Sequence, residues 1–451
     1  GTTTTERDSV VITVTRAGLS ANQRFHGRIA VHSNGGTDTL HVYLENFPNP
    51  QIPSAPSEVT TDGYRLWVRK RLPNGTLAER TPWMIRGVAW SPASIGTPND
   101  RWARQAEFAR WYRLDLQMIR EMNANTVYLF LDPGTGQEAI PLLDCLYLND
   151  LMAVVTVDWD GTYEVPHALA VVTALRQHPA ILCWAIGNEW NVNLYHDRFD
   201  ILMEAAEATQ ELAAQLQTLD ADHPVASIYG EIDMGEAQPL SLTEQIVNDI
   251  CPAVDLWGCN IYRGPTFGTF FNQWASISNK PVFLSEYGAD SFFTTGQEPL
   301  QGHVDENAQA EFNHGLWMEI AGHLSCCDPA GVCLGGTVFE WVDEWWKTGS
   351  PWLHEPDGFY PYWNPGAFPD SFANEEYFGV VAIDRIVKAT YRRYVADYAA
   401  GPVGPCAVES GNGGGTEPGG SGGPGGSRGP AGPRRPGIGL RWERGDQILS
   451  V

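Results

Sequence analysis

Eight short apolar runs, each followed by a longer amphipathic or loop segment, occupy the chain between Met84 and Trp341. They are Met84–Trp90, Thr126–Leu131, Leu151–Asp158, Ile181–Asn188, Pro224–Tyr229, Asp255–Ile261, Pro281–Glu286 and Gly336–Trp341. Runs of this length, rich in β-branched and aromatic residues, read as strands buried on both faces. Between them Arg104–Met122, Phe199–Leu219 and Asn307–His323 place apolar residues at i, i+3 and i+4 and read as helices. Eight such alternations predict an α/β fold, a (β/α)8 TIM barrel. A doubly wound sheet usually has fewer strands and a glycine-rich turn after the first, whereas here the first run ends in Trp90-Ser91-Pro92.

The flanks follow other rules. Residues 1–46 alternate apolar and polar positions, most clearly in Val10–Val14 and Leu40–Leu44, with turn chemistry at Asn34-Gly35-Gly36. Too few strands fit there for an independent sandwich, so the stretch reads as a partial β-sandwich fragment. Residues 47–63 read as a linker, and a domain of residues 64–400 opens on a hairpin, Tyr64–Arg80, turning at Pro73-Asn74-Gly75. Residues 401–451 are dominated at first by Gly, Pro and Ser, bury too little apolar surface to offset their ordering entropy, and are expected to be disordered. The chain begins inside the β-rich stretch without the basic and apolar regions of a signal peptide, and its start reads as truncated.

Charge narrows the partners. The formal net charge of −25, from 29 basic and 54 acidic residues, argues against nucleic acid and anionic lipid surfaces. No apolar run approaches the roughly 20 residues of a bilayer span, so no membrane insertion is expected. Cys145, Cys183, Cys251 and Cys259 lie in or near apolar segments and read as buried thiols, while Cys326, Cys327 and Cys333 suit a loop disulfide or free thiols better than zinc. His178, His223, His303 and His314 share no ligand spacing; no metal and no cofactor are expected.

In a (β/α)8 barrel the working residues stand at the C-terminal ends of the strands, where the βα-loops form one concave face. Strand four ends in Asn188-Glu189-Trp190 and strand seven in Ser285-Glu286-Tyr287, so two carboxyl groups face each other across the mouth. A single acid in so acidic a chain would be a solvated loop residue. Two acids in phase at two strand ends instead suit glycosidic bond cleavage, and retention of configuration calls for roughly 5–5.5 Å between their carboxyl groups. Asp158, Trp159 and Asp160 end strand three as a sugar subsite or a solvated loop. Glu340, Asp343, Glu344, Trp345 and Trp346 form an acidic aromatic patch after strand eight, suited to hydroxyl recognition and ring stacking.

The segments "WAIGNEWN" and "PVFLSEYGAD" resemble the acid/base and nucleophile motifs of the retaining glycoside hydrolases of clan A. "IRGVAWSP", "DLWGCNIYRG" and "GGTVFEWVDEWWK" are similar to the first, sixth and eighth strands of the family 2 β-glycosidases, and "EYFGVVAIDRIVKATYRRY" to their closing segment. The resemblance implies Glu189 as general acid/base and Glu286 as nucleophile. It implies Asn188 on the sugar 2-hydroxyl, Tyr262 on Glu286, and Trp341 as a sugar platform, with a core indole as the alternative for Trp341. Trp190, Trp159, Asp158 and Glu344 complete the expected substrate-binding set. Family members commonly carry an arginine near the end of strand two, which this chain lacks, and Arg86 stands too early on strand one to replace it. Residues Ile12–Glu45 resemble the C-terminal half of BACON-type immunoglobulin-like modules.

The expected activity is therefore that of a retaining β-glycoside hydrolase acting on polysaccharide or oligosaccharide, secreted, periplasmic or at the cell surface. A transglycosylase would use the same residues, and a carbohydrate-binding protein on a catalytically inactive barrel is the alternative of a different class. The sugar, the linkage and the oligomeric state are not encoded in any motif found.

Overall fold

The computed structural model describes residues 23–33, 36–46, 52–135, 139–159, 161–295, 300–358 and 368–400. The described residues fall into two units, residues 23–46 and residues 52–400. In the first, Gln23–Ser33 and Gly36–Asn46 pair antiparallel from Gln23 opposite Asn46 to Ser33 opposite Gly36. This pair contains the Leu40–Leu44 run. Val10–Val14 and the Gly/Pro-rich residues 401–451 lie outside the described residues.

The second unit is built on a closed eight-stranded parallel barrel. Its strands are β1 (Ile85–Trp90), β2 (Thr126–Leu129), β3 (Met152–Thr156), β4 (Ile181–Ile186), β5 (Val225–Tyr229), β6 (Leu256–Asn260), β7 (Val282–Glu286) and β8 (Cys333–Val338). Each pairs with its sequence neighbour, and β8 closes on β1 with Gly336 opposite Arg86. All eight runs read from the sequence are strands, in the expected order. Every residue of β2 to β8 is buried, as parallel strands covered by helices outside and packed side chains inside must be.

The covering helices are α1 (Arg101–Glu121), α2 (Ala139–Leu148), α3 (Val165–Leu175), α4 (Trp190–Asp197), α5 (Leu202–Leu219), α6 (Leu240–Gln245), α7 (Phe270–Ile277), α8 (Glu306–Gly322) and α9 (Ala389–Ala400). The periodic runs of the sequence are α1, α5 and α8. Asp100 caps α1 by accepting from the amides of Trp102 and Ala103, and Asp305 caps α8 in the same way. No described helix is long and apolar enough to cross a membrane.

Part of the stretch read as linker is structured. Glu58–Asp62 pairs with Arg65–Arg69, which pairs in turn with Thr81–Pro82. The expected turn at Pro73-Asn74-Gly75 is present, closed by the Gly75 amide on the Leu72 carbonyl at 2.8 Å. This small sheet sits at the N-terminal end of the barrel, opposite the mouth. Val59 donates to Asp222 O just before β5, and Ser57 Oγ to Pro179 O just before β4. Val59, Leu66 and Val68 join the barrel core.

A buried ion pair ties the closing segment to the first helix. Arg385 and Asp115 are both fully buried, with Nε on Oδ1 at 3.0 Å and Nη2 on Oδ2 at 3.1 Å. Trp90 Nε1 donates to the same Asp115 at 3.0 Å, and the guanidinium also donates to the carbonyls of Ala93 and Ile383. The start of the β1–α1 loop at the mouth is thereby fixed from three directions.

Candidate active site

Strand β4 leaves the barrel through a sharp change of backbone direction. Gly187 has φ of +74°, and a Cβ there would meet Trp190 Cδ1 at 2.6 Å, so glycine is required. Asp158, at the end of β3, accepts from the Gly187 amide at 3.0 Å and from Tyr163 N at 3.4 Å. Two residues on, Glu189 adopts φ 50° and ψ 31°, a left-handed conformation that a non-glycine side chain seldom takes outside constrained functional segments. Its neighbour Trp190 is held below the mouth, with Nε1 on Ser227 Oγ at 2.9 Å and its ring stacked on Tyr195.

Strand β7 delivers Glu286 as its last residue, buried with 6% exposure. Tyr262, two residues past β6, donates its hydroxyl to Glu286 Oε2 at 3.1 Å. A side-chain relay links the three strands: Ser285 Oγ donates to Asn260 Oδ1 at 2.7 Å, and Asn260 Nδ2 to Asn188 Oδ1 at 3.2 Å. Asn188, Glu189, Tyr262 and Glu286 thus converge on one place, fixed by backbone turns and neutral hydrogen bonds.

Electrostatics ties the two acids together. Burial pushes the Glu286 carboxyl up to about 8, and the nearby Glu189 charge adds to the rise. Glu189 is raised as well, chiefly by burial, against a hydrogen bond from Asn260. Two carboxyls competing in a desolvated site resist ionising together, so their titrations are coupled and the first proton leaves more readily than the second. The Tyr262 phenol, buried beside Glu286, is pushed well above its usual range and remains a donor.

Other expected residues fall elsewhere. Trp341 is fully buried, 6.2 Å from the ring of Tyr391 on α9; it is a core indole and cannot serve as a platform. Trp190 is also fully buried and supports the β4 turn without facing the mouth. Asp158 is fully buried, pushed up to about 7 by desolvation, and braces Gly187, which excludes it from a subsite. Trp159 is 4% exposed, with the Arg101 guanidinium 3.8 Å over its ring. It lines a cavity of about 690 Å³ with Trp102, Gln105, Glu164 and His167, between α1 and α3. Asp160 lies outside the described residues. Arg86 donates to Tyr398 O at 2.8 Å from the early part of β1, away from the strand ends.

The aromatic patch after β8 contributes through different members. The Phe339 ring lies 5.4 Å from Phe378 and 6.4 Å from Phe130, and Phe378 lies 6.4 Å from Tyr262. Glu344 is buried beside Lys347 at 3.7 Å, and Glu375 lies 3.1 Å from the same ammonium. Phe339, Lys347, Glu375 and Asn260 were not singled out from the sequence. Asn260 had a signal, being a strand-end amide two residues before Tyr262. Lys347 had another, as the basic residue that closes an acidic aromatic run.

Residues 148–317, from the end of α2 into α8, match the family model described as "Glycosyl hydrolases family 2, TIM barrel domain". Over those residues the barrel is similar to the one that family model describes. The match spans β3 to β7 and includes both glutamates. The chain is 21% identical to the β-glucuronidase of Mus musculus, over 63% of this chain and 46% of that protein. It therefore spans about half the length of the curated relative it matches. Among solved structures it is similar to a GH2 β-galacturonidase from Eisenbergiella tayi bound to galacturonate, at 16% identity and a TM-score of 0.49, covering 84% of this chain and 67% of that one. A β-D-glucuronidase of Dictyoglomus thermophilum matches at 12% identity and a TM-score of 0.47, covering 82% and 57%.

Proposed function

We propose that the chain is a retaining β-glycoside hydrolase that cleaves polysaccharide or oligosaccharide outside the cytoplasm by double displacement. The observation that carries this reading is the convergence of Glu189 and Glu286 at the ends of β4 and β7, electrostatically coupled, with Tyr262 hydrogen-bonded to Glu286. In the first step the Glu286 carboxylate attacks the anomeric carbon. The glycosidic C–O bond breaks as Glu189 gives its proton to the departing oxygen. In the second step Glu189, now a carboxylate, takes a proton from water as that water attacks the same carbon, and Glu286 leaves ionised. The cycle runs from the form in which Glu286 is ionised and Glu189 protonated, and it returns the proton to Glu189. Asn188, hydrogen-bonded by Asn260, would meet the sugar 2-hydroxyl, and Phe339, in the aromatic cluster that reaches Tyr262 through Phe378, would offer an apolar ring to the sugar.

The test is a panel of aryl β-glycosides that includes glucosides, galactosides, mannosides and uronides, with product configuration read by NMR. Glu344 and Glu375 both lie against the Lys347 ammonium, so neutral glycosides should turn over faster than uronides. Glu286→Ala should be inactive on every substrate and regain turnover with azide, giving an inverted product. Glu189→Ala should retain turnover on activated aryl glycosides, and azide should accelerate it with retention. The same rescue stereochemistry in both variants would overturn the assignment.

A further inference from the structure

The loop after β8 brings a lysine toward the two glutamates. The Lys347 ammonium lies 3.1 Å from Glu375 and 3.7 Å from Glu344, and 5.2 Å and 4.9 Å over the rings of Phe339 and Trp346. Phe339 in turn donates its amide to Tyr287 O, the carbonyl of the residue after Glu286, at 2.9 Å. Through Phe378 the same aromatic cluster reaches Tyr262, whose hydroxyl is on Glu286. Lys347 is therefore fixed at the mouth by carboxylates on one side and ring faces on the other, its side chain only 15% exposed.

The groups facing it come from every wall of the mouth. Glu340 and Glu344 precede it on its own segment, Glu375 comes from the segment before Phe378, Glu189 from the end of β4 and Glu286 from β7. Tyr262 follows β6, and Arg104, on α1, lies 4.3 Å over the Trp346 ring. Burial lowers the affinity of the ammonium for its proton, but Glu375, Glu344 and Glu340 together more than offset this, so it stays charged. Carboxyl groups thus outnumber the cations in a place where charge is poorly screened.

We propose that Lys347 is a positioning residue that supplies the counter-charge allowing the Glu189–Glu286 pair to hold one carboxylate in the desolvated mouth. Its task is electrostatic, carried through space and not by contact with the reacting atoms. The proposal rests on the double-displacement reading for its catalytic meaning but concerns a property of the free protein. Two features support it. The ammonium opposes the rise of both acids, and for Glu286 it is a larger opposing influence than the Tyr262 hydrogen bond. Glu375 is held below the usual carboxylate range chiefly by Lys347, so the lysine has a fixed anionic anchor that leaves the pair as the titrating element.

The experiment is a ¹³C NMR titration of glutamate side-chain carboxyls in the full chain, with the two resonances assigned by their loss in Glu189→Gln and Glu286→Gln. Lys347→Met should move the pair's titration to higher pH by about one unit, a roughly tenfold loss of the ionised form at the wild-type midpoint. Lys347→Arg should restore the midpoint. If the methionine variant does not fold, Lys347→Gln, whose amide can still donate to Glu375, takes its place with the same expected displacement. Unchanged midpoints in the neutral variant, or a displacement that arginine does not reverse, would overturn the proposal. The readout needs no substrate, so absence of turnover across the glycoside panel would refute the hydrolase reading while leaving this test intact. With a turned-over substrate, both limbs of the pH–rate profile should move alkaline in Lys347→Met, whereas a purely structural role would lower the rate without moving them.

Discussion

Replacing Glu286 with glutamine should stabilise the fold, and the gain should grow with pH. In the unfolded chain this carboxyl titrates near its ordinary 4.5, while burial and the Glu189 charge lift it to about 8 in the folded protein. Below pH 4.5 both states are protonated and the group is neutral in its effect on stability. Between 4.5 and 8 the unfolded carboxyl is ionised while the folded one keeps its proton, so folding requires proton uptake and stability falls as pH rises. Above 8 the penalty is constant. The rise from 4.5 to about 8 bounds it at about 5 kcal/mol, and relaxation of Glu189 brings the expected gain to about 2–3 kcal/mol. Glutamine preserves volume and an acceptor for Tyr262, which avoids the cavity that alanine would leave. Thermal or guanidinium unfolding of wild type and Glu286→Gln at pH 4.5, 6, 7.5 and 9 measures the trend. The midpoints should coincide at the lowest pH, and the variant should be a few degrees more stable at the highest. A pH-independent difference, or a variant less stable at pH 9, would refute the reasoning from burial.

Arg385→Met should cost about 3–5 kcal/mol in guanidinium unfolding, because Asp115 would keep its buried charge with only Trp90 as a donor. A loss below about 1 kcal/mol would show that the carboxyl is relieved in some other way. Trp341→Ala should lower stability by a similar amount through the cavity it creates, with KM for a turned-over glycoside unchanged. Phe339→Ala should raise KM instead, and the opposite pattern would return Trp341 to the role of platform.

The eight strands were legible because a barrel strand is covered on both faces and must be apolar along its length. The one strand displaced by several residues is instructive. Strand β8 spans Cys333–Val338, three residues before the run Gly336–Trp341 read from the sequence. A Cβ on Gly335 would meet Ile85 O at 2.0 Å, so this glycine marks a close approach to β1 and not a turn. The glutamates were legible because strand phase carries them to the mouth. Beyond the strand ends, phase no longer predicts direction: the backbone turns left-handed at Glu189, and Trp190 swings into the core beside Ser227. Trp341 follows β8 by three residues and turns inward in the same way. Lys347 and Glu375 could not be paired from the sequence, since they stand on separate segments that only the folded mouth brings within 3.1 Å. The strand Glu58–Asp62 was hidden by its length and its Pro- and Ser-rich approach.

The central claim is that Glu286 forms a covalent bond to the sugar. The most direct measurement is trapping with a 2-deoxy-2-fluoro glycosyl fluoride of whichever sugar the panel identifies, followed by proteolysis and peptide mass spectrometry. The fluorine at C2 slows both formation and breakdown of the intermediate, while the activated leaving group restores the rate of formation, so the adduct accumulates. The account predicts one sugar equivalent, attached to Glu286, with no labelling of the Glu286→Gln variant. A label on Glu189, or rapid turnover to an inverted product with no adduct at all, would contradict it.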